Sequence, residues 1–395
     1  MKTTMDRGSI DKTLIIAVAL LVVIGLIAVY SSTSVLASVK AKYANKGGMI
    51  YLQRQFFTLI IGFFFMVVFI FLSREKLRKL VFPLLIISFI MLAAVFTPIG
   101  VTAGGARRWL RLWPSSFQPS ELAKLAMVFF LAWYMSRDGY NKESIKHFII
   151  PIGLMAIFQL IFLKQPDFGA AMTLGIITFV MLFIGGVSLR FLGATVLLAI
   201  PLVVYLAKEP YRWKRITSFL DPWADPQGSG FQLVQSLIAL GSGGLTGQGL
   251  GEGKQKLAFL PEIHTDFIFA HIGEEMGFIG AATVVVLFFL ICLRGLNIAM
   301  RQSEPFYYFL ASGVTIMISI QALINFAVVT GMAPTKGLPL PFISYGGSAL
   351  VVNLIAIGIL LNLSRFNSTQ DSVEVYSKRK TKLRTYKYWR GKNFS

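Results

Sequence analysis

The chain has 395 residues, of which 55% are hydrophobic and only 14% are charged, and its mean hydropathy is +0.68. This composition excludes an ordinary soluble domain and indicates an integral membrane protein. The net charge of +20 fits membrane topology and anionic lipid headgroups, so we predict no nucleic-acid partner. The single cysteine, Cys292, excludes an internal disulfide.

Ten apolar runs follow one another along the chain, and a span of about 20 residues crosses roughly 30 Å of hydrocarbon. The runs cover residues 14–36, 54–72, 77–97, 118–136, 147–163, 168–187, 189–207, 266–293, 306–331 and 342–364. The first run exceeds the core of a cleaved signal peptide, which favours a retained anchor. We therefore predict an all-α polytopic membrane protein with about ten transmembrane helices and one large extracytoplasmic loop between spans seven and eight.

The loop charges predict the orientation of this bundle, because short cytoplasmic loops carry the excess of Lys and Arg. The excess places both termini in the cytoplasm: residues 1–13 form a short N-terminus, 14–364 a single transmembrane domain, and 365–395 a basic tail that we expect to be disordered. The tail has few aliphatic residues and should be attracted to anionic lipids of the inner leaflet. Docking of a cytoplasmic partner is the alternative role for it.

The large loop, about 208–265, divides into three parts. A basic and aromatic segment contains Arg212 and Arg215, the segment FQLVQSLIAL resembles a helix, and a glycine-rich stretch ends near Lys254. Gln255 follows Lys254, so the stretch lacks the Ser or Thr of a phosphate-binding P-loop. We interpret it as a hinge-like loop that approaches a ligand or covers a cleft.

Ionisable residues next to or within apolar spans are functional-site candidates. His264, Asp266, His271 and Glu275 lie in the segment PEIHTDFIFAHIGEEMG, where His271 and Glu275 are one helical turn apart. A metal site is one interpretation, and a helix-capping aspartate with interfacial histidines is the other; we expect no permanent metal.

Two further sets of polar residues interrupt the spans. Glu121 and Lys124 have the spacing of an ion pair buried in span four, and Asp167 opens span six. If Glu121, Lys124 and Asp167 instead form a continuous polar path across the bilayer, a transporter is favoured.

Five segments resemble one bacterial family. GARRWLRL (105–112), FQPSELAK (117–124), PDFGAAM (166–172), LPEIHTDFIFAHIGEEMGFIG (260–280) and PTKGLPLPFISYGGSAL (334–350) are similar to motifs of the SEDS family, the shape, elongation, division and sporulation proteins. The similarity runs from span one to about Arg365. The run GMAPTKGLPLPFISYGG is closer to the cell-division branch than to the elongation branch, which remains the alternative.

The resemblance implies a peptidoglycan glycosyltransferase that polymerises lipid II at the outer face of the cytoplasmic membrane. Asp266 matches the family's proposed catalytic aspartate, whose chemical role would be that of a general base. Cations are expected at the diphosphate leaving group. The candidates for binding the diphosphate substrate are Arg108, Lys336, Arg212, Arg215, Lys254 and His264. Polar residues expected to support the site are Gln118, Glu121, Lys124, Asp167, Glu275 and Ser344.

The resemblance also implies partners, namely a class B penicillin-binding protein that crosslinks the new glycan and other proteins of the division site. No tightly bound cofactor is expected, and a divalent cation, Mg²⁺ or Mn²⁺, is left open as a companion of the substrate diphosphate. Two other functions compete: a lipid II flippase or other transporter, and a non-catalytic scaffold. The scaffold hypothesis predicts that Asp266→Ala leaves function intact.

Overall fold

The computed structural model describes residues 9–39, 49–103, 105–112, 115–254 and 263–365. Most of the predicted N-terminus, the basic tail beyond Arg365 and the side chain of Arg212 lie outside the described residues.

Each of the ten predicted spans contains helix, which confirms the fold class. In chain order the helices are α1 Lys12–Val39, α2 Met49–Phe71, α3 Arg74–Lys79, α4 Val81–Ala94, α5 Pro119–Met135, α6 Ile145–Lys164, α7 Phe168–Ile184, α8 Leu189–Ala207, α9 Pro210–Leu220, α10 Phe231–Ser242, α11 Ile268–Met300, α12 Pro305–Val329 and α13 Gly347–Ser364. Six of them (α1, α2, α6, α11, α12 and α13) are long and apolar enough to cross a membrane, and several shorter apolar helices accompany them. The chain is a multi-pass membrane protein.

Helix α5 lies at the centre of the bundle. Almost all of its side chains are buried, and it packs against α4, α7 and α12. Outer helices such as α2 and α8 instead expose large apolar side chains, which suits contact with lipid. The polar first turns of α5 are therefore enclosed by protein.

A small antiparallel sheet, absent from the sequence prediction, precedes α5. Its strands are β1 Gly100–Ala103, β2 Ala106–Leu112 and β3 Ser115–Phe117, in the order β1-β2-β3. The pairing places Leu110 opposite both Gly100 and Phe117. The sheet carries Arg107 and Arg108 to the mouth of the bundle beside α5.

Helix α11 is broken at Gly277, which has φ 66° and ψ −165°. A positive φ is readily available only to glycine. The break frees the carbonyl groups of Glu274 and Glu275, which accept hydrogen bonds from the backbone N–H groups of Gln248 (3.0 Å) and Gly249 (3.1 Å). The glycine-rich stretch is thus paired to α11 through its backbone rather than free as a hinge.

The large loop is mainly helical before the glycine-rich stretch. The predicted FQLVQSLIAL helix is confirmed as α10, which packs against α11. The basic and aromatic segment forms α9, and a 3₁₀ turn at Pro222–Ala224 joins α9 to the stretch that precedes α10. The described part of the loop, up to Lys254, forms a layer over one end of the bundle.

Candidate active site

Asp266 lies in a turn, residues 263–267, that leads into α11. It is half-buried, and α11 begins two residues later at Ile268, so Asp266 does not occupy the capping position of that helix. The side-chain amide of Asn325 on α12 donates to the carbonyl oxygen of Asp266 and to that of Leu338, each at 2.8 Å. One buried amide therefore joins the 263–267 turn to the loop between α12 and α13.

That loop, residues 330–346, is tied to the same turn at two more points. The Ser344 hydroxyl donates to the carbonyl oxygen of Thr265 at 2.5 Å. The backbone N–H of Tyr345 donates to the carbonyl oxygen of His264 at 2.9 Å. Gln55 on α2 donates to the Ser344 carbonyl oxygen at 3.2 Å. The predicted role of Ser344 as a supporting residue is consistent with these bonds.

Three aromatic rings surround this junction. The ring centroids of Tyr51, His264 and Tyr345 are 5.4 to 5.8 Å apart in all three pairs. Edge-to-face and tilted contacts of this length are favourable for aromatic pairs. All three residues are only partly buried, so an aromatic cluster lies two residues from Asp266 on an accessible surface.

Lys336 and Arg215 bring positive charge to the α12–α13 loop. Arg215 donates through Nη1 to the carbonyl oxygen of Thr335 at 2.9 Å, next to Lys336. Burial, and secondarily the nearby Arg215 guanidinium, lower the pKa of Lys336 from its ordinary value of 10.5. An anion placed between these cations would reverse that effect, because it would stabilise the charged ammonium.

Gly337 separates this cationic segment from the carboxylate. A methyl group at Gly337 would lie 2.9 Å from Oδ2 of Asp266. The Asp266 carboxylate therefore packs against the backbone of Gly337, the residue that follows Lys336.

A second polar cluster forms where the sheet meets α5 and α7. Asp167 is buried and accepts the N–H of Ala170 at 3.1 Å, which caps α7, and the amide of Gln118 at 2.9 Å. Arg108 Nη1 lies 3.9 Å from Oδ1 of Asp167. The predicted residues Arg108, Gln118 and Asp167 are therefore neighbours.

The α12–α13 loop also contacts this second cluster. Leu338 packs on Gly169 in the first turn of α7, and the Lys336 ammonium contacts the Met172 sulfur one turn further on. The first turns of α7 therefore lie between Asp167 and the loop that carries Lys336. Through these contacts the α12–α13 loop joins the two polar clusters at one end of the bundle.

Glu121 and Lys124 form the predicted buried ion pair. Nζ of Lys124 lies 2.8 Å from Oε1 of Glu121, and the side chains are 1% and 5% exposed, respectively. Beyond Lys124 the buried residues of α5 from Leu125 to Ala132 are apolar. The pair is self-contained, and no further buried polar side chain follows it on α5 up to Ala132.

A third set of ionisable residues lies deeper, in the first half of α11. Nε2 of His271 is 3.6 Å from Oε2 of Glu275, and the Ser31 hydroxyl on α1 donates to Oε1 of Glu275 at 2.6 Å. Oε1 of Glu274 accepts the backbone N–H of Lys254 at 2.7 Å. Glu275 thus joins α11 to α1, and Glu274 holds the end of the glycine-rich stretch.

The predicted site residues therefore divide into those brought together and those kept apart. Asp266, His264, Ser344, Lys336 and Arg215 meet around the α12–α13 loop, with Arg108, Gln118 and Asp167 next to them. Lys254 is held by its backbone and its side chain is exposed; the side chain of Arg212 is outside the described residues. Among the described residues, no group of three or more His, Cys, Asp and Glu side chains is arranged to hold a metal.

Several residues of the site were missed by the sequence analysis. Asn325 was the most detectable, because an amide inside an apolar span is a polar candidate of the same kind as Glu121. The others have ordinary surroundings in sequence, and only the fold brings them to the site: Gln55, Tyr51, Tyr345 and Gly337.

The fold and this site define a class: a multi-pass membrane protein with a carboxylate and several cations at one end of its bundle. Residues 11–369 match the family model FTSW_RODA_SPOVE, described as cell cycle protein. The chain belongs to this family, as its resemblance to the SEDS proteins predicted.

Named relatives cover nearly the whole chain. It is 43% identical over 357 residues to the probable peptidoglycan glycosyltransferase FtsW of Geobacter sp. (strain M18), covering 90% of this chain and 96% of the relative. The probable peptidoglycan glycosyltransferase FtsW of Legionella pneumophila is 42% identical, with 91% and 92% covered. The stage V sporulation protein E of Bacillus subtilis is 41% identical, with 92% and 99% covered.

Solved structures share the architecture. One, described as structural coordination of polymerization and crosslinking by a peptidoglycan synthase complex, has a TM-score of 0.73 and 32% identity over 90% of this chain and 98% of its own. The crystal structure of the rod shape determining protein RodA of Thermus thermophilus has a TM-score of 0.67 and 29% identity, with 90% and 97% covered.

Proposed function

We propose that this protein is a peptidoglycan glycosyltransferase that polymerises lipid II into glycan strands during cell division. The observation that carries the proposal is the position of Asp266, half-buried beside Gly337 and the cationic pair Lys336 and Arg215. Names of similar proteins support the same activity. Their FtsW names favour the cell-division branch over the elongation branch.

Asp266 acts as the general base. A sugar hydroxyl, the C4 hydroxyl of the acceptor, attacks the anomeric carbon of the donor, and its proton passes to the Asp266 carboxylate. A bond forms between that oxygen and the anomeric carbon, while the bond from the anomeric carbon to the diphosphate oxygen breaks. The diphosphate leaves with the electron pair. One carboxylate is sufficient, because a diphosphate departs without the second, acidic carboxyl group used by glycoside hydrolases.

Cations stabilise the departing diphosphate. Lys336 precedes Gly337, which packs on the base, and Arg215 bonds to Thr335 of the same loop. Arg108 lies beside Asp167 at the start of α7. Preorganised positive charge in a partly dehydrated site favours a transition state in which negative charge develops on the leaving group. A divalent ion, Mg²⁺ or Mn²⁺, would bind mainly through the phosphate oxygens of the substrate, as Mg²⁺ commonly does.

The aromatic cluster of Tyr51, His264 and Tyr345 contacts the sugar part of the substrate. Its rings are accessible and adjacent to the base, and ligand sites commonly combine apolar and aromatic walls with a few polar groups. We assign His264 to this wall rather than to the diphosphate, since its ring packs with two tyrosines.

The site faces the outside of the cytoplasmic membrane and the termini face the cytoplasm. The distribution of basic loop residues supports this orientation. A class B penicillin-binding protein is the proposed partner, supported by the similarity to a synthase complex that coordinates polymerization and crosslinking. The division septum, where other division proteins assemble, is the proposed location.

Glycan synthesis from purified lipid II tests the proposal. The full chain, with and without the cognate transpeptidase and Mg²⁺ or Mn²⁺, should form polymer, and Asp266→Asn should lower the rate by at least about 100-fold because proton transfer to a base contributes about 10²–10⁴-fold.

Asp221→Asn is the matched control, since it makes the same change at an exposed position of the large loop. It should retain the wild-type rate. Polymer formation by Asp266→Asn at the wild-type rate would refute the general-base role of Asp266. Absence of polymer from the wild-type chain under all these conditions would refute the glycosyltransferase activity.

A further inference from the structure

A polar cavity of about 240 Å³ lies at the end of the bundle opposite Asp266. Asp11, Lys12, Arg294, Arg301, Gln302 and Ser364 contribute to its lining. Helix α1 runs from this cavity to Ser31, which contacts Glu275 near the active site. Twenty residues of helix span about 30 Å, so the cavity lies at the opposite membrane surface.

The frame of the cavity is held by bonds between helices. The Asp11 carboxylate accepts two hydrogen bonds from Arg294 on α11, at 2.9 and 2.6 Å. The backbone N–H of Asp11 donates to the Ser364 hydroxyl at the end of α13 at 3.2 Å, and the Gln302 amide donates to the Leu363 carbonyl oxygen at 3.1 Å. The cavity therefore has a defined shape set by α1, α11 and α13.

The charge in the cavity is unbalanced. Lys12, Arg294 and Arg301 are its cations and Asp11 is its carboxylate, so the lining has an excess of positive charge. Asp11 is already paired with Arg294. Lys12 and Arg301 are exposed and make no ion pair with any residue in the described ranges. The cavity therefore offers two exposed cations to an anion that approaches from the membrane surface.

We propose that this cavity binds the phosphate group of an anionic phospholipid of the cytoplasmic leaflet. Basic pockets between transmembrane helices at that surface bind such headgroups, and arginine matches the geometry of phosphate oxygens. The chain's own tail is a poor occupant, because residues 365–395 carry nine basic residues and two acidic ones. The cavity is distinct from the proposed glycosyltransferase site at the other end of the bundle.

Lipid binding to the full chain in neutral detergent tests this site. Native mass spectrometry would count bound phosphatidylglycerol, with phosphatidylcholine as the zwitterionic comparison and inorganic phosphate and glycerol phosphate as soluble competitors. We expect phosphatidylglycerol to be retained in preference to phosphatidylcholine. The double variant Lys12→Gln/Arg301→Gln should bind phosphatidylglycerol about tenfold more weakly, the scale of losing charge-assisted contacts to phosphate.

A matched double variant controls for total charge. Lys79→Gln/Arg190→Gln removes two exposed cations of predicted cytoplasmic segments that do not line the cavity, and it should bind phosphatidylglycerol like wild type. Arg301→Lys should keep most of the binding. Equal weakening in both double variants, or no preference for phosphatidylglycerol, would overturn the site. Equal occupancy by the soluble phosphates at matched concentration would overturn the lipid as its ligand.

Discussion

The side-chain amide of Asn325 donates a hydrogen bond of 2.8 Å to the backbone carbonyl oxygen of Asp266, across 59 residues of sequence. The second amide hydrogen binds the carbonyl oxygen of Leu338, also at 2.8 Å. A single residue of α12 therefore fixes both the turn that carries Asp266 and the loop that carries Lys336.

Asn325→Leu should slow polymerisation by about 10- to 100-fold, because small displacements of a catalytic group are costly in rate. The turnover rate at saturating lipid II, measured beside the thermal midpoint, is the decisive quantity. Asn353→Leu is the control: Asn353 is also a buried asparagine, but within the described residues its amide donates to Ala349 of its own helix rather than to another element. Equal rate losses in the two variants would show that Asn325 has no specific role in positioning.

Gly337→Ala should lower the turnover rate without unfolding the protein. The added methyl group would lie 2.9 Å from Oδ2 of Asp266, so either the carboxylate or the loop must shift. We expect a decrease of about tenfold or more. Gly346→Ala, in the same loop, brings its methyl group only to 3.8 Å from Pro339 and should be neutral. Wild-type activity of Gly337→Ala would contradict the close packing of the base.

Activity should be lost as pH rises, and the loss should begin at a pH lower than the ordinary lysine pKa of 10.5. The reason is that burial and Arg215 lower the pKa of Lys336. In the proposed mechanism, deprotonation of Lys336 removes a positive charge that stabilises the departing diphosphate. Arg215→Gln should shift the alkaline loss of activity to higher pH, since the pKa of Lys336 then rises. Lys336→Arg should abolish this loss, because arginine stays charged throughout the range. Rate profiles against pH at subsaturating lipid II measure the shift; an identical alkaline loss in wild type and Lys336→Arg would exclude Lys336 as the titrating group.

The same pKa has a defined sign for stability. Between the lowered pKa of folded Lys336 and its ordinary value, the unfolded chain binds more protons than the folded chain. The contribution of Lys336 to the free energy of unfolding therefore becomes more favourable as pH rises through that interval. Stability and activity should change in opposite directions there.

Breaking the buried ion pair should be more harmful than removing it. Glu121→Gln leaves the charge of Lys124 buried without its counter-ion, which costs about 3–5 kcal/mol. The double variant Glu121→Leu/Lys124→Met replaces the pair by apolar side chains and should recover much of that loss. Thermal unfolding in detergent compares them, and a double variant less stable than Glu121→Gln would contradict this account.

The aromatic cluster should affect substrate affinity more than turnover. Tyr51→Ala removes one ring of the wall and should raise the KM for lipid II several-fold, whereas Tyr51→Phe, which keeps the ring, should remain close to wild type. Steady-state kinetics separate the two effects. If Tyr51→Ala lowered kcat alone, or if Tyr51→Phe were equally impaired, the rings would not be the contacting surface.

Hydropathy and local spacing predicted much of the architecture. Spans of ordinary length give strong signals, and the Glu121 and Lys124 pair lies within one helical turn, where spacing alone determines contact. The sheet was missed because two of its three strands are short: Gly100–Ala103 has four residues and Ser115–Phe117 only three. Helix α11 was predicted as one span, since a single glycine does not reveal its own φ angle.

The sequence predicted several residues of the candidate site but not the contacts between them. Motif resemblance selected Asp266, Arg108 and Lys336 as candidates, yet nothing in the sequence places Gly337 against the base. Lys254 illustrates the converse: its charge suggested a phosphate ligand, whereas the observed contact is between its backbone N–H and Glu274. Contacts between distant backbone groups depend on the fold and leave no compositional signal.

The break at Gly277 limits how the large loop can vary in length. Phe278 and Ile279 donate backbone hydrogen bonds to the carbonyl oxygens of Gly244 and Leu245, so the glycine-rich stretch is bonded on both sides of the break. An insertion within 244–249 would move these partners out of register, while one at the exposed 225–229 turn would not. Family members should therefore differ in loop length before α10 and conserve the spacing from Gly244 to Gly249.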